Sequence, residues 1–145
     1  RTGGGKTLVG ILMAQSTLNE TNEPVLYLTP TRQLVPQTLE KAKALGIAAV
    51  PYQSGQPLDD SFLNGKAIMV CTYKALFNGR SKFGVRKGTR APIKAAAVIL
   101  DDAHVALRRL PIDRQRVGLS YAAERRAVGA DAAHAMVGHP VCHLR

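Results

Sequence analysis

The sequence predicts an α/β fold, a parallel sheet flanked by helices. Three observations predict it. A glycine-lysine segment, Thr2-Gly3-Gly4-Gly5-Lys6-Thr7, runs straight into a helix-forming stretch. Short apolar segments at 25–29, 67–71 and 95–100 are separated by helices or long connections, the spacing of parallel strands rather than hairpins. The last of these segments ends in two acids, Asp101-Asp102. At 145 residues and 46% apolar, the chain has the length and composition of about one globular domain.

Residues 6–19 form the first helix. Leu8, Val9, Ile11, Leu12, Met13 and Leu18 make it apolar almost all round, as a helix covering a sheet must be. Thr21-Asn22-Glu23-Pro24 is a turn, and Val-Leu-Tyr-Leu-Thr at 25–29 is a buried strand. Pro30-Thr31 ends that strand, and Thr31 is placed to cap a helix reaching about Leu45. Pro36 removes a helical N–H, so that helix either bends or starts near Pro36. Gly46 stops it. Residues 48–52 read as a strand, confined by Pro51 to an edge. One helical turn at 59–63 follows, then a strand at 67–71 and a short helix at 73–77. Residues 78–92 are a glycine-punctuated loop, and 95–100 is the clearest buried strand.

The formal net charge is +10, which favours a polyanionic partner or, more plainly, reflects arginine-rich coding. Arg80, Lys82, Arg86, Lys87 and Arg90 lie in a stretch without acids, either a solvated loop or a strip for phosphates. Cys71 and Cys142 are far apart and build neither a disulfide framework nor a thiolate zinc site, so a reducing, cytoplasmic setting is expected. No apolar run approaches the ~18 residues that cross a bilayer, and no membrane partner is expected.

The chemistry lies in the first segment and the last acids. Residues 2–7 match the end of a phosphate loop, G-x-x-x-x-G-K-[ST]. In such a loop, glycines let backbone N–H groups close on phosphate oxygens. The lysine reaches the β/γ-phosphates and the hydroxyl ligates Mg²⁺. The motif's first glycine would precede Arg1, so the sequence is expected to be a piece of a longer protein. Asp101, at the end of Ala-Val-Ile-Leu, stands where the acidic partner of Lys6 and Thr7 that serves the magnesium belongs, and Asp102 is placed to orient or deprotonate the attacking water.

With these segments in view, the chain resembles superfamily 2 helicases of the DEAD/DEAH-box type. Thr2-Gly3-Gly4-Gly5-Lys6-Thr7, Pro30-Thr31-Arg32-Gln33-Leu34-Val35 and Asp101-Asp102-Ala103-His104 look like that family's motifs I, Ia and II. Order and spacing fit its first RecA-like domain, a P-loop NTPase fold, over about residues 1–107. Val70-Cys71-Thr72-Tyr73-Lys74-Ala75-Leu76 stands in the place of the next segment that contacts nucleic acid.

The resemblance implies ATP and Mg²⁺ as cofactors. Thr2, Gly3, Gly4, Gly5, Lys6 and Thr7 would hold the nucleotide, with Thr7 and Asp101 on the metal. Pro30, Thr31 and Arg32, then Thr72 and Tyr73, would contact one strand of DNA or RNA. Read without the family, Thr72-Tyr73 is a helix cap and a half-buried ring. His104 would couple the site to a second RecA-like domain. Asp102 departs from the family's Glu. It keeps the charge but is one methylene shorter, and a misplacement of ~1 Å can cost ~100-fold in rate.

The implied function is the motor domain of an ATP-dependent helicase. A duplex translocase of the restriction or remodelling type and a hydrolysis-impaired nucleotide-binding module are the alternatives. A small-molecule kinase does not account for Pro30-Thr31-Arg32 or for the segment from Asp101 to His104. The motor domain is expected at 1–110. Residues 111–145 lack strand-like runs and lysine, and read as flexible linker or as out-of-frame sequence. His139, Cys142 and His143 there have no predicted fold to preorganise them for zinc.

Overall fold

The computed structural model describes residues 4–52, 55–77, 81–83, 93–102 and 135–136. In chain order the elements are α1 (Gly4–Thr21), β1 (Val25–Thr29), α2 (Leu34–Ala44), β2 (Ala49–Pro51), α3 (Asp60–Leu63), β3 (Ile68–Thr72), α4 (Tyr73–Leu76), β4 (Ala97–Leu100) and β5 (Ala135–Met136). The sheet order is β2-β3-β1-β4-β5. β1 to β4 are parallel, as the sequence predicts for an α/β fold. β5 adds two antiparallel residues to the outer edge of β4, in register Val98↔Met136, and comes from the stretch expected to lie outside the domain.

β1 is the centre of the sheet and all five of its residues are buried. Strand alternation sorts the core into two faces. Val25, Tyr27, Ile68, Val70, Ala97 and Ile99 pack under α1 and α2 through Ile11, Ala14, Leu18 and Ala42. Leu26, Leu28, Met69 and Cys71 face Phe62, Tyr73 and Phe83 on the other side. Burial on both faces explains why these strands read as continuous apolar runs.

α1 begins at Gly4, within the glycines, so the end of the phosphate-loop motif is the helix's first turn. It ends where Asn22 takes a left-handed conformation (φ 52°) and donates its N–H to the Leu18 carbonyl. α2 departs from both sequence expectations. It starts at Leu34, so Pro36 is its third residue and lies where N–H groups have no helical partner in any case. Its cap position is Gln33, which makes no side-chain capping bond, and not Thr31. Thr31 instead offers its carbonyl to the Leu34 N–H and the Thr29 hydroxyl. Gly46 stops the helix at φ 70°. Pro51 ends β2, which pairs only with β3, so the missing N–H costs no central ladder bond.

The connection into β3 depends on Gly65. Its φ is +64°, and a Cβ there would fall on the Asn22 carbonyl, 3.0 Å from the Glu23 nitrogen. Gly65→Ala is therefore expected to destabilise the fold by about 2–5 kcal/mol, combining left-handed strain with a backbone overlap. A urea titration reads this as a lower midpoint at an unchanged slope.

Candidate nucleotide and nucleic-acid site

Parallel strands deliver their C-terminal ends to one edge. Register fixes which residues meet there: Thr29 lies beside Thr72, and Leu28 beside Leu100. The Asp101 N–H continues the ladder by donating to the Leu28 carbonyl at 2.9 Å. Asp101 is thus held one step beyond β4, two residues after Ile99, on the face that α1 covers.

α1 brings the lysine segment to the same place. Its first turn carries no acidic residue, and its opening N–H groups lack helical partners. The space that a Cβ of Gly5 would fill is open, and Lys6 is exposed. Such a turn attracts anions through both its N–H groups and the helix dipole. Thr7 points the other way and is only 8% exposed. Its hydroxyl lies near the Asp101 carboxyl and the Tyr27 phenol and favours the ionised form of each. One hydroxyl and one carboxylate, with no sulfur or nitrogen, is a donor set suited to a hard cation such as Mg²⁺.

Burial and then the neighbouring Asp102 charge push the Asp101 carboxyl above its usual range. Lys41 on α2, Tyr27 and Thr7 pull the other way without cancelling the rise. A half-buried carboxylate of this kind is one that a bound cation would relieve. Burial, followed by the Asp101 charge, likewise keeps the Tyr27 and Tyr73 phenols protonated well above the ordinary tyrosine range.

Asp102 is exposed and left-handed, at φ 53°, a conformation aspartate tolerates better than most residues. Pro30, Thr31 and Arg32 follow β1 at the same edge, the last two exposed, next to Thr72. Thr72 occupies the cap position of α4, as its plain reading has it, but makes no side-chain capping bond there. Tyr73 lies in the core, at 4% exposure, and its hydroxyl donates to the Asp101 backbone carbonyl. This corrects the expectation of a strand contact by Tyr73: its ring is packed inward, and of the pair only Thr72 is partly exposed. Thr2, Gly3 and His104 lie outside the described residues, as do most of the basic loop and the His139, Cys142 and His143 group.

Sequence reasoning missed Tyr27, Gly10 and Lys41. Tyr27 carried a signal: a phenol in the middle of a buried strand must find a hydrogen-bond partner. Two open grooves, about 480 and about 450 Å³, flank β2, and neither is lined by Thr7, Asp101 or Thr72. Among the described residues no helix is long and apolar enough to cross a membrane.

Asp101→Asn is expected to stabilise the nucleotide-free protein at pH 7. The sign follows from linkage: a carboxyl whose pKa is raised by folding costs stability once it ionises, and the cost vanishes below its unfolded pKa. The gain in melting temperature should therefore shrink as pH falls towards 4.

A sequence model of the DEAD/DEAH box helicase family matches residues 1–125. No curated protein and no solved structure matches the chain.

Proposed function

The chain belongs to the DEAD/DEAH box helicase family, and from that premise we propose that it is the ATP-binding motor part of a nucleic-acid helicase, coupling ATP hydrolysis to unwinding or translocation on DNA or RNA. The family is one of ATP-hydrolysing enzymes that bind ATP with Mg²⁺ and act on nucleic acid. The observation that carries the reading is the meeting of Thr7 and Asp101. They lie 94 residues apart (101 − 7) in sequence, yet the Thr7 hydroxyl comes near enough to the Asp101 carboxyl to favour its ionised form.

Thr2, Gly3, Gly4 and Gly5 approach and cradle the triphosphate with backbone N–H groups, and Lys6 pairs with its outer oxygens. Thr7 and Asp101 hold Mg²⁺. A Mg²⁺ held by these two residues would supply positive charge to offset that of the phosphates. Asp102, at the rim, orients the attacking water and accepts its proton. Pro30, Thr31, Arg32 and Thr72 lie beside this group at the ends of β1 and β3 and hold one strand by its backbone. Phosphate contacts of this kind position a strand without reading its sequence. A second RecA-like domain closes over the nucleotide, with His104 as the coupling residue.

The shorter acid at Asp102 favours a second reading, a nucleotide-binding module that turns over slowly or not at all. Duplex translocation would use the same groups.

Equilibrium binding of labelled ATP with Mg²⁺ tests the site. Lys6→Ala should weaken it about 10–100-fold, the worth of one charge-assisted bond. Equal binding by the two proteins would remove the motor reading. Nucleic-acid-stimulated turnover separates the two functions. In the motor, Asp102→Asn lowers the rate by about 100-fold or more. In the module, the unaltered protein is idle and Asp102→Glu gains turnover.

A further inference from the structure

Tyr73 joins two strands that do not touch. The sheet order sets β1 between β3 and β4, so the axes of β3 and β4 lie about 9.5 Å apart, twice the spacing of paired strands. The Tyr73 hydroxyl crosses that gap and donates to the Asp101 backbone carbonyl, 28 residues on in sequence. Its ring is 4% exposed and belongs to the cluster of Leu28, Cys71 and Phe83 on the face opposite α1. The residues on either side of it face outwards: Thr72 is partly exposed and Lys74 is exposed. One short segment thus offers a hydroxyl and an ammonium to the surface and sends a phenol inward to the acidic turn.

The bond acts on a peptide plane. A carbonyl and the N–H of the next residue lie in one rigid plane, so holding the Asp101 oxygen also holds the Asp102 nitrogen. The plane before Asp101 is fixed as well, because its N–H donates to the Leu28 carbonyl at 2.9 Å. Asp102 hangs from the second plane at φ 53°, a left-handed conformation that an aspartate in a free turn leaves for the right-handed or extended regions. The carboxylates of Asp101 and Asp102 therefore take their directions from a plane that Tyr73 anchors. We infer that Tyr73 is a positioning residue that ties the segment carrying Thr72 to the acidic turn, so that a nucleic-acid strand bearing on Thr72 sets the aim of Asp102. The inference rests on the roles proposed above for Thr72 and Asp102 and adds the residue that connects them. The phenol's single proton makes the tie, so phenylalanine in its place keeps the packing and releases the plane.

Tyr73→Phe tests this in the intact protein, with single-stranded oligothymidylate and oligouridylate as the probes. Affinities for oligonucleotide and for Mg²⁺-ATP should stay near those of the unaltered protein, because the buried phenol faces neither ligand. The ratio of turnover with saturating oligonucleotide to turnover without it should fall about 3–30-fold, the worth of one residue in a coupling route. An unchanged ratio, whether both rates hold or both fall alike, overturns the inference, as does a weaker grip on the oligonucleotide that accounts for the change. The Asp102 amide resonance gives the answer without hydrolysis: added oligonucleotide should move it in the unaltered protein and leave it still in Tyr73→Phe. An amide that moves alike in both proteins, or in neither, overturns the inference, while Mg²⁺-ATP binding measured beside it keeps or removes the motor reading. If Tyr73→Phe does not fold, the Tyr73 ring and the Asp102 amide of the unaltered protein should shift together on adding oligonucleotide, and a shift of one alone counts against the tie. An unaltered protein that binds neither oligonucleotide nor Mg²⁺-ATP overturns both readings.

Discussion

A carboxylate held half-buried against the first turn of a helix organises this molecule. Asp101 reaches that place because β4 lies parallel to β1 in a register that sets Leu100 beside Leu28, and its own N–H bonds the Leu28 carbonyl. The helix reaches it because Gly10 lets α1 settle on the Tyr27 ring. Tyr73 fixes the position from the opposite face by donating to the Asp101 carbonyl. Helix, strand and turn therefore share one small volume, and each constraint acts on a different atom of the same residue.

That arrangement is costly to the empty protein. Desolvation and the Asp102 charge both oppose ionisation of Asp101, and Lys41, Tyr27 and Thr7 support it without cancelling the rise. Strain of this sort is tolerable where a ligand removes it. The neighbouring turn supplies the complementary preference: unpaired N–H groups, a lysine and no acid. One side of the edge favours anions and the other a cation, which is the requirement for a metal-bound triphosphate. The groups suited to a nucleic-acid backbone sit one strand further along, at Thr31, Arg32 and Thr72. Movement of β1 relative to β4 would affect both.

Most of this was legible in the residues. β1 is continuous and apolar because it is buried on both faces, and its limits follow from Pro24 and Pro30. The lysine segment and the acids were legible because each is a local pattern. What was not legible depends on three dimensions. Pro36 reads as an interruption until the helix is seen to start two residues earlier, where no N–H is needed. Tyr73 reads as a contact residue because its segment stands in the place of one that contacts nucleic acid in the family the chain resembles. Only the path of α4 over the sheet edge turns its ring inward. Tyr27 reads as one more large strand residue, because the absence of a side chain at Gly10 matters only once α1 is laid across it.

The central claim is that Thr7 and Asp101 attend one metal-bound triphosphate. Manganese in place of magnesium makes this directly measurable, because its unpaired electrons broaden nuclear resonances nearby. With Mn²⁺-ATP added, the amide signals of residues 5–7 and those of 100–102 should broaden together, while those of β2 stay sharp. Broadening of one group without the other, or of neither, would contradict the account.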